Sequence, residues 1–161
     1  MKMFIHLLCF CCLCWVQSCG VVSLDEEMPG QLITINSSEY PGTEAQLMTA
    51  LTNNSSKNWG TTGFTLQVLR NFQTCRMDDK LSLASDGTYA YDGGDLLCGA
   101  EDDQRLKTGT WEMAFEERRL TFDKGTSEEI SLYVEEASDT KVIVSSTYMR
   151  LRVVGKYEVA L

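Results

Sequence analysis

Residues 80–91 read KLSLASDGTYAY and have the pattern of a β-hairpin. Leu81 and Leu83 alternate with polar or small residues, and Tyr89 and Tyr91 share one face of the segment that follows. Asp86-Gly87 is a strong two-residue turn signal, because both positions of such a turn favour residues that tolerate a positive φ. The segment therefore predicts two antiparallel strands with one buried and one exposed face.

The same alternation recurs along the chain on both sides of this hairpin. We predict an all-β fold, an antiparallel meander of about eight strands that closes into a barrel and so leaves no exposed sheet edge. Within it, Trp111 should face the interior and Glu112 should face water. The apolar positions of the other predicted strands are Phe64, Leu66 and Val68; Gly109, Trp111, Met113 and Phe115; Leu120 and Phe122; Ile130, Leu132 and Val134; Val142 and Val144; and Met149, Leu151 and Val153, continuing through Tyr157 and Val159.

One short helix is predicted ahead of the strands, at residues 43–52. Thr43 and Gln46 have the spacing of a capping box, in which the first residue caps the helix N-terminus. Leu47, Met48 and Leu51 follow at helical spacing, and the polar run 53–56 ends the helix.

The N-terminal residues 1–18 have the features of a secretory signal peptide. Lys2 precedes an apolar stretch that is too short to span a membrane, and a small residue, Ser18, precedes Cys19. The segment from Val16 to Gly20 resembles the lipobox of bacterial lipoproteins, which implies lipidation of Cys19 and cleavage just before it. The alternative is an ordinary cleaved signal with an incidental cysteine. We therefore expect a lipid-anchored protein of the outer membrane, on its periplasmic or cell-surface side.

Residues 19–41 are predicted to form a flexible tether, and residues 42–161 a single barrel domain. The tether contains glycines, prolines and a polar run without sustained periodicity. The whole chain has a formal net charge of −9. An acidic surface repels phosphate, so nucleic acid is an improbable partner, and anchoring to the membrane would fall to the acyl chains.

Two cysteines of the predicted domain are expected to pair. Lipidation of Cys19 would leave Cys75 and Cys98, and export favours their oxidation to a disulfide. Two separate buried thiols are the alternative.

An ordered series of motifs resembles the lipocalin-like lipoproteins of Gram-negative bacteria. It covers the chain from about Leu47 to the C-terminus, and departs from the family pattern in the first strand, which carries Gly60 and Gly63. The resemblance implies a small lipocalin-like, calycin-type β-barrel whose open end could hold a ligand, and it implies no particular ligand. The motifs are Trp59, Cys75 with Asp78-Asp79, Asp86-Gly87-Thr88-Tyr89, Cys98, Gly109-Thr110-Trp111 and Leu120-Thr121-Phe122.

The predicted domain does not contain the residues that most catalytic mechanisms require. The only histidine is His6, in the predicted signal, so histidine-dependent nucleophiles and histidine-containing zinc sites are excluded from the domain. No phosphate-binding loop is present either. We expect no enzyme, catalytic residue, cofactor or metal. The less favoured alternatives are a calcium site at Asp92 and Asp95 with residues 101–103, or a hydrolase built on paired acids among Asp78, Asp79, Glu101, Asp102, Asp103 and Glu112.

A set of inward-facing aromatic and apolar positions could line a pocket. Its members are Trp59, Phe64, Tyr89, Tyr91, Trp111, Met113 and Phe115. A packed core of the same residues is the favoured alternative. Tyr133, Tyr148 and Tyr157 are expected to be exposed, where they could stack on a sugar or a protein partner.

The leading functional hypothesis is a non-enzymatic lipoprotein that binds a small apolar or amphipathic ligand. The alternative is a filled barrel that docks on another envelope protein.

Overall fold

A computed structural model describes residues 33–66, 71–72, 74–96, 98, 106–148 and 150–160. The predicted signal peptide, Cys19 and the carboxylates of residues 101–103 lie outside the described residues. The elements are a helix α1 (Glu44–Thr52), strands β1 (Ser56–Leu66) and β2 (Asn71–Phe72), a 3₁₀ turn (Thr74–Arg76), and strands β3 (Lys80–Ala84), β4 (Thr88–Asp92), β5 (Leu106–Ala114), β6 (Arg119–Phe122), β7 (Ile130–Ala137), β8 (Lys141–Tyr148) and β9 (Leu151–Val159).

The strands form one antiparallel sheet that closes on itself. Each strand from β3 to β8 pairs with the next along the chain, β3 also pairs with the start of β1, and the two-residue β2 extends the end of β1. Pairing of β1 with β9, from Trp59↔Val159 to Leu66↔Val153, completes the circle. The described strands β1 and β3–β9 thus form an eight-stranded barrel, which confirms the predicted all-β meander.

Strand β5 shows the predicted alternation directly. The side chain of Trp111 is inside the barrel, and its residue is only 5% exposed. Its neighbour Glu112 is exposed and pairs with Lys124 on the outer surface. The indole N–H of Trp111 donates to the Ala84 carbonyl at 3.0 Å, so the polar atom of this buried ring is satisfied.

The β3–β4 hairpin forms as predicted, but its connection has three residues rather than two. The turn is centred on Ser85-Asp86, with Gly87 N–H donating to the Ala84 carbonyl at 3.1 Å. Gly87 follows at φ +84°, a left-handed conformation in which glycine carries no steric cost. A turn followed by one left-handed residue is the usual three-residue hairpin connection.

Helix α1 covers one end of the barrel, which we call the closed end. The Thr43 hydroxyl accepts from Gln46 N–H at 3.2 Å, as a capping residue should. Leu47 and Leu51 are fully buried, and the Trp59 indole N–H donates to the Leu51 carbonyl at 3.0 Å. The predicted helix and its N-cap are therefore confirmed.

Residues 33–42, which precede the helix, lie against the outside of the barrel. The Ala137 N–H donates to the Glu39 carbonyl at 2.8 Å, and the Asn36 N–H donates to the buried Glu136 carboxylate at 2.8 Å. Lys141 pairs with the same carboxylate and also with Glu39, whose Oε2 lies 3.4 Å from the Lys141 ammonium. The described part of the predicted tether is therefore attached to the domain by backbone and ionic contacts.

Candidate ligand cavity

A cavity of about 720 Å³ opens at the end of the barrel opposite α1, which we call the open end. This volume falls within the ~300–1,000 Å³ typical of small-molecule sites. Its apolar wall consists mainly of side chains from β6–β9, with one each from β1 and β3. These residues are Phe64, Leu81, Phe122, Ile130, Leu132, Val144 and Val153.

The floor of the cavity is made by the packed closed end. Below it lies a void of only about 30 Å³, enclosed by residues that include Leu51, Trp59, Leu83 and Leu120. Such a void holds no more than one or two water molecules. The barrel interior is therefore divided into a filled half and an open half.

One polar cluster in the cavity wall joins Arg76, Asp79 and Tyr91. The Tyr91 hydroxyl donates to Asp79 Oδ2 at 2.5 Å, and Arg76 Nη1 donates to the Tyr91 oxygen at 3.1 Å. Arg76 Nη1 is also 3.6 Å from Asp79 Oδ2. Burial, followed by the hydrogen bond to the Asp79 carboxylate, raises the pKa of Tyr91, so its hydroxyl stays protonated at neutral pH.

Tyr157 is the neighbour of this cluster on β9. A Cβ atom built on Gly155 would lie 2.9 Å from Tyr157 Cε2 and 3.1 Å from its hydroxyl, so glycine at 155 leaves the room that the ring occupies. Burial raises the pKa of Tyr157 to about 12, and the Asp79 charge adds to this effect while Arg76 opposes it. Tyr157 therefore presents a protonated hydroxyl at the cavity wall.

A second polar cluster lies near the mouth of the cavity, on β4–β6. The Tyr89 hydroxyl donates to Asp123 Oδ2 at 2.6 Å. Lys107 Nζ is 3.2 Å from the same oxygen and 2.6 Å from Glu128 Oε2. Burial and the Asp123 carboxylate raise the pKa of Tyr89 to about 12, and the hydrogen bond to Glu128 raises that of Lys107. The cluster thus keeps its neutral hydroxyl and its charged ammonium at neutral pH.

Two long loops beside the mouth are tied to each other. Cys75 and Cys98 form a disulfide with their Cα atoms 5.1 Å apart, which joins the β1–β3 connection to the β4–β5 connection. The Asp78 carboxylate adds to this tie, since it accepts from the N–H groups of Asp95 and Leu96 at 2.6 and 3.0 Å. Cys98 itself lines the cavity, so the disulfide forms part of the site.

The rim of the open end carries exposed apolar side chains. Leu106 is 81% exposed, Tyr148 is 60% exposed, and Leu96 and Ile130 are about half exposed. Ile130 and Tyr148 also line the cavity, which makes the apolar wall continuous with the surface around the mouth.

The structure divides the predicted pocket residues between the two halves of the interior. Phe64, Tyr89 and Tyr91 line the cavity. The other four, Trp59, Trp111, Met113 and Phe115, pack at the closed end, where Phe115 stacks on Tyr40 at 5.7 Å between ring centroids.

Of the tyrosines expected at the surface, Tyr133 and Tyr148 are exposed, but Tyr157 is not. That prediction was wrong, because β9 runs unbroken to Val159 and Tyr157 keeps the inward orientation of Val153. Alternation also places Lys107 inside the barrel, because it lies on the same face of β5 as Gly109 and Trp111. Arg76 lies in a 3₁₀ turn, where the sequence gives no periodic signal.

The candidate acids that the structure describes, Asp78, Asp79 and Glu112, have three different settings. Glu112 lies outside the barrel, Asp78 accepts loop N–H groups, and Asp79 is bound to Tyr91 in the cavity wall. Among the described residues, no three carboxylate, cysteine or histidine side chains are grouped so as to hold a metal ion. This includes Asp92 and Asp95, while residues 101–103 lie outside the described part.

Within the part of the chain that the structure describes, no helix has the length and apolar character to cross a bilayer. The sequence matches no protein-family model and no curated protein, so a function has to be inferred from the cavity and its wall.

Proposed function

We propose that this chain is a lipid-anchored envelope lipoprotein whose barrel binds one small apolar or amphipathic molecule and does no chemistry on it. The observation that carries the proposal is the open cavity of about 720 Å³, which a filled barrel would lack. Its wall combines a large apolar area with a few hydrogen-bonding groups, which is the usual composition of a small-molecule site. The motif series shared with lipocalin-like lipoproteins supports the same reading.

Ligand binding is tested by titrating the purified protein with methyl cis-parinarate, an uncharged fluorescent polyene. We expect saturable binding with one molecule per chain. Ser146→Phe places a ring in the cavity and should abolish binding. The control is Thr147→Phe, on the same strand but facing outward, which should bind like the wild type. Equal binding by both variants, or no saturable binding by the wild type, would contradict the proposal.

The membrane anchor is tested separately at Cys19. The proposed lipidation there is supported by the short apolar stretch and the lipobox-like segment 16–20. Cys19→Ala should end labelling with a radioactive fatty acid and release the chain from the membrane fraction, whereas Cys14→Ala, within the predicted signal, should change neither. A Cys19→Ala chain that still incorporates fatty acid would overturn the anchor and leave the cavity proposal untouched.

A further inference from the structure

The described charges in the cavity wall are balanced by one another. Among the described residues, the lining cations are Arg76 and Lys107, and each lies beside a carboxylate: Asp79 for the first, Asp123 and Glu128 for the second. The described groups of these two clusters therefore carry no net positive charge. A ligand that entered as an anion would meet a carboxylate next to each of these two cations.

Desolvation makes this balance selective against a charged ligand. An anionic head group that leaves water for a partly buried wall is tolerated only where a cation pairs with it. Here it would have to displace Asp79 from Arg76 or Glu128 from Lys107, which would leave those carboxylates to be solvated elsewhere. Asp79 is only 4% exposed, so water could not easily replace Arg76 as the partner of its carboxylate.

A neutral hydrogen-bond donor is nevertheless available in the wall. The hydroxyls of Tyr89 and Tyr91 are committed to Asp123 and Asp79. Tyr157 makes no hydrogen bond to any other described residue, although its ring lies in the cavity wall. Its hydroxyl keeps some accessible surface, so a molecule in the cavity can reach it.

We propose that the ligand is an uncharged amphiphile: an apolar body with an oxygen-bearing neutral group such as an ester, amide, ketone or alcohol. The apolar body would pack on β6–β9, against Phe122, Leu132 and Val144. The neutral oxygen would accept a hydrogen bond from the Tyr157 hydroxyl. The inference rests on the proposed ligand-binding function and specifies which ligands the cavity takes.

The test compares cis-parinaric acid with its methyl ester at pH 8. The two probes share one chromophore and differ in the charge of the head group. We expect the wild-type protein to bind the ester at least tenfold more tightly than the ionised acid. The ester is also less soluble in water, so the decisive quantity is the change in the ester-to-acid affinity ratio between variants, from which solubility cancels.

Three variants separate the contributions. Tyr157→Phe removes one hydroxyl and should weaken ester binding by about five- to tenfold, with a smaller effect on the acid. Asp79→Asn removes one negative charge from the wall and should strengthen acid binding several-fold. Tyr133→Phe is the control: this exposed tyrosine lies on the outer face of β7, away from the cavity, and the substitution should leave the ratio unchanged. Should Asp79→Asn fail to fold, Asp123→Asn makes the same charge change nearer the mouth.

The outcomes distinguish this inference from the function on which it rests. An acid that binds as tightly as the ester, or a ratio that neither Tyr157→Phe nor the aspartate variant changes, would overturn the uncharged ligand while leaving ligand binding intact. If neither probe binds to the wild type, both proposals fail together.

Discussion

The two ends of the barrel use the same strands and the same alternation, yet one is filled and the other is open. At the closed end, Trp59 and Trp111 point inward against Leu47 and Leu51 of the helix, and only about 30 Å³ stays empty. Toward the open end the inward positions hold smaller or charged residues such as Ser146, Gly155 and Lys107, around a cavity of about 720 Å³. An eight-stranded barrel is wide enough for either outcome, so the size of its inward side chains decides which one forms.

The two ends also differ in what holds them together. Apolar burial, at about 25 cal/mol per Å² of surface removed from water, stabilises the closed end. The open end depends on a disulfide and on hydrogen-bonded side chains that tie its loops. Substitutions at matched positions in the two halves should therefore have different effects.

The largest difference is expected for aromatic residues in the two halves. Trp111→Ala should lower the free energy of unfolding by about 3–5 kcal/mol, because the cavity it leaves lies among packed neighbours. Phe64→Ala should cost only about 1–2 kcal/mol, since Phe64 already faces open space. Urea denaturation of both variants provides the measurement. Equal losses would mean that the interior is packed uniformly.

Opening the disulfide should destabilise the open end. Cys75 and Cys98 are 23 residues apart, and in the chain-entropy model closing such a loop contributes about 3 kcal/mol. The double variant Cys75→Ser/Cys98→Ser should lose about this much stability, while hydrogen exchange at Trp59 and Trp111 stays slow. Faster exchange at the closed end before global unfolding would show that the two halves do not open independently.

The ion pair between Glu136 and Lys141, on the outer surface of the barrel, should make a smaller, pH-dependent contribution to the free energy of unfolding. Burial opposes the Glu136 charge, but Lys141 and the Asn36 N–H outweigh it and lower the pKa of Glu136 below its usual value. Since the pKa is lower in the folded state, the contribution is complete above pH 4.5 and is lost as the pH falls through the folded-state value. Glu136→Gln should cost about 1–2 kcal/mol at pH 7, because Lys141 is partly exposed.

Unfolding of the wild type and the Glu136 variant at pH 7 and at pH 3 measures this contribution. The difference between the two proteins should shrink at the lower pH. A difference that is the same at both pH values would assign the loss to packing rather than to the charge.

The smallest expected effect is at the hairpin that joins β3 to β4. Gly87→Ala should destabilise the protein by about 1 kcal/mol, because φ is +84° there and a Cβ would lie 3.3 Å from the Trp111 carbonyl oxygen. Thermal unfolding measures the change. Gly125→Ala is the control for backbone strain alone, since its φ is +78° and no atom lies within 4 Å of the added Cβ. If the two losses are equal, the contact with Trp111 adds nothing.

The sequence accounts for most of the fold and for part of the candidate site. Alternation alone predicted the strands and the inward orientation of Trp111, and the capping residues predicted the helix. Of the cavity residues it found Phe64, Tyr89 and Tyr91, but it grouped them with four residues of the packed end. Periodicity gives the side of the strand on which a residue lies, and it does not tell how far along the barrel axis the interior is filled.

The orientation of residues beyond a bulge was decided only by the tertiary structure. Trp59 and Phe64 are five residues apart on β1, so strict alternation would place them on opposite faces of the strand. Both face inward because the register shifts between Thr61 and Gly63. On β7, strict alternation after Val134 would place Glu136 in the core. A shift between Val134 and Glu136 turns that carboxylate outward, toward Lys141 and the Asn36 N–H. An extra residue in one strand reverses every later side chain, and its position follows from pairing with the neighbouring strands.

Local interactions explain which features the sequence determined by itself: turns, the helix cap and alternation involve residues close together along the chain. The cavity has a different origin. Its wall combines Arg76, Asp79, Tyr91, Lys107 and Tyr157, which come from three strands, a 3₁₀ turn and the loop after that turn. Tyr157, on β9, joins the other four because β1 pairs with β9 and closes the sheet. The combination of balanced charges and a neutral donor that we infer to select an uncharged ligand is therefore a property of the closed barrel and not of any one segment.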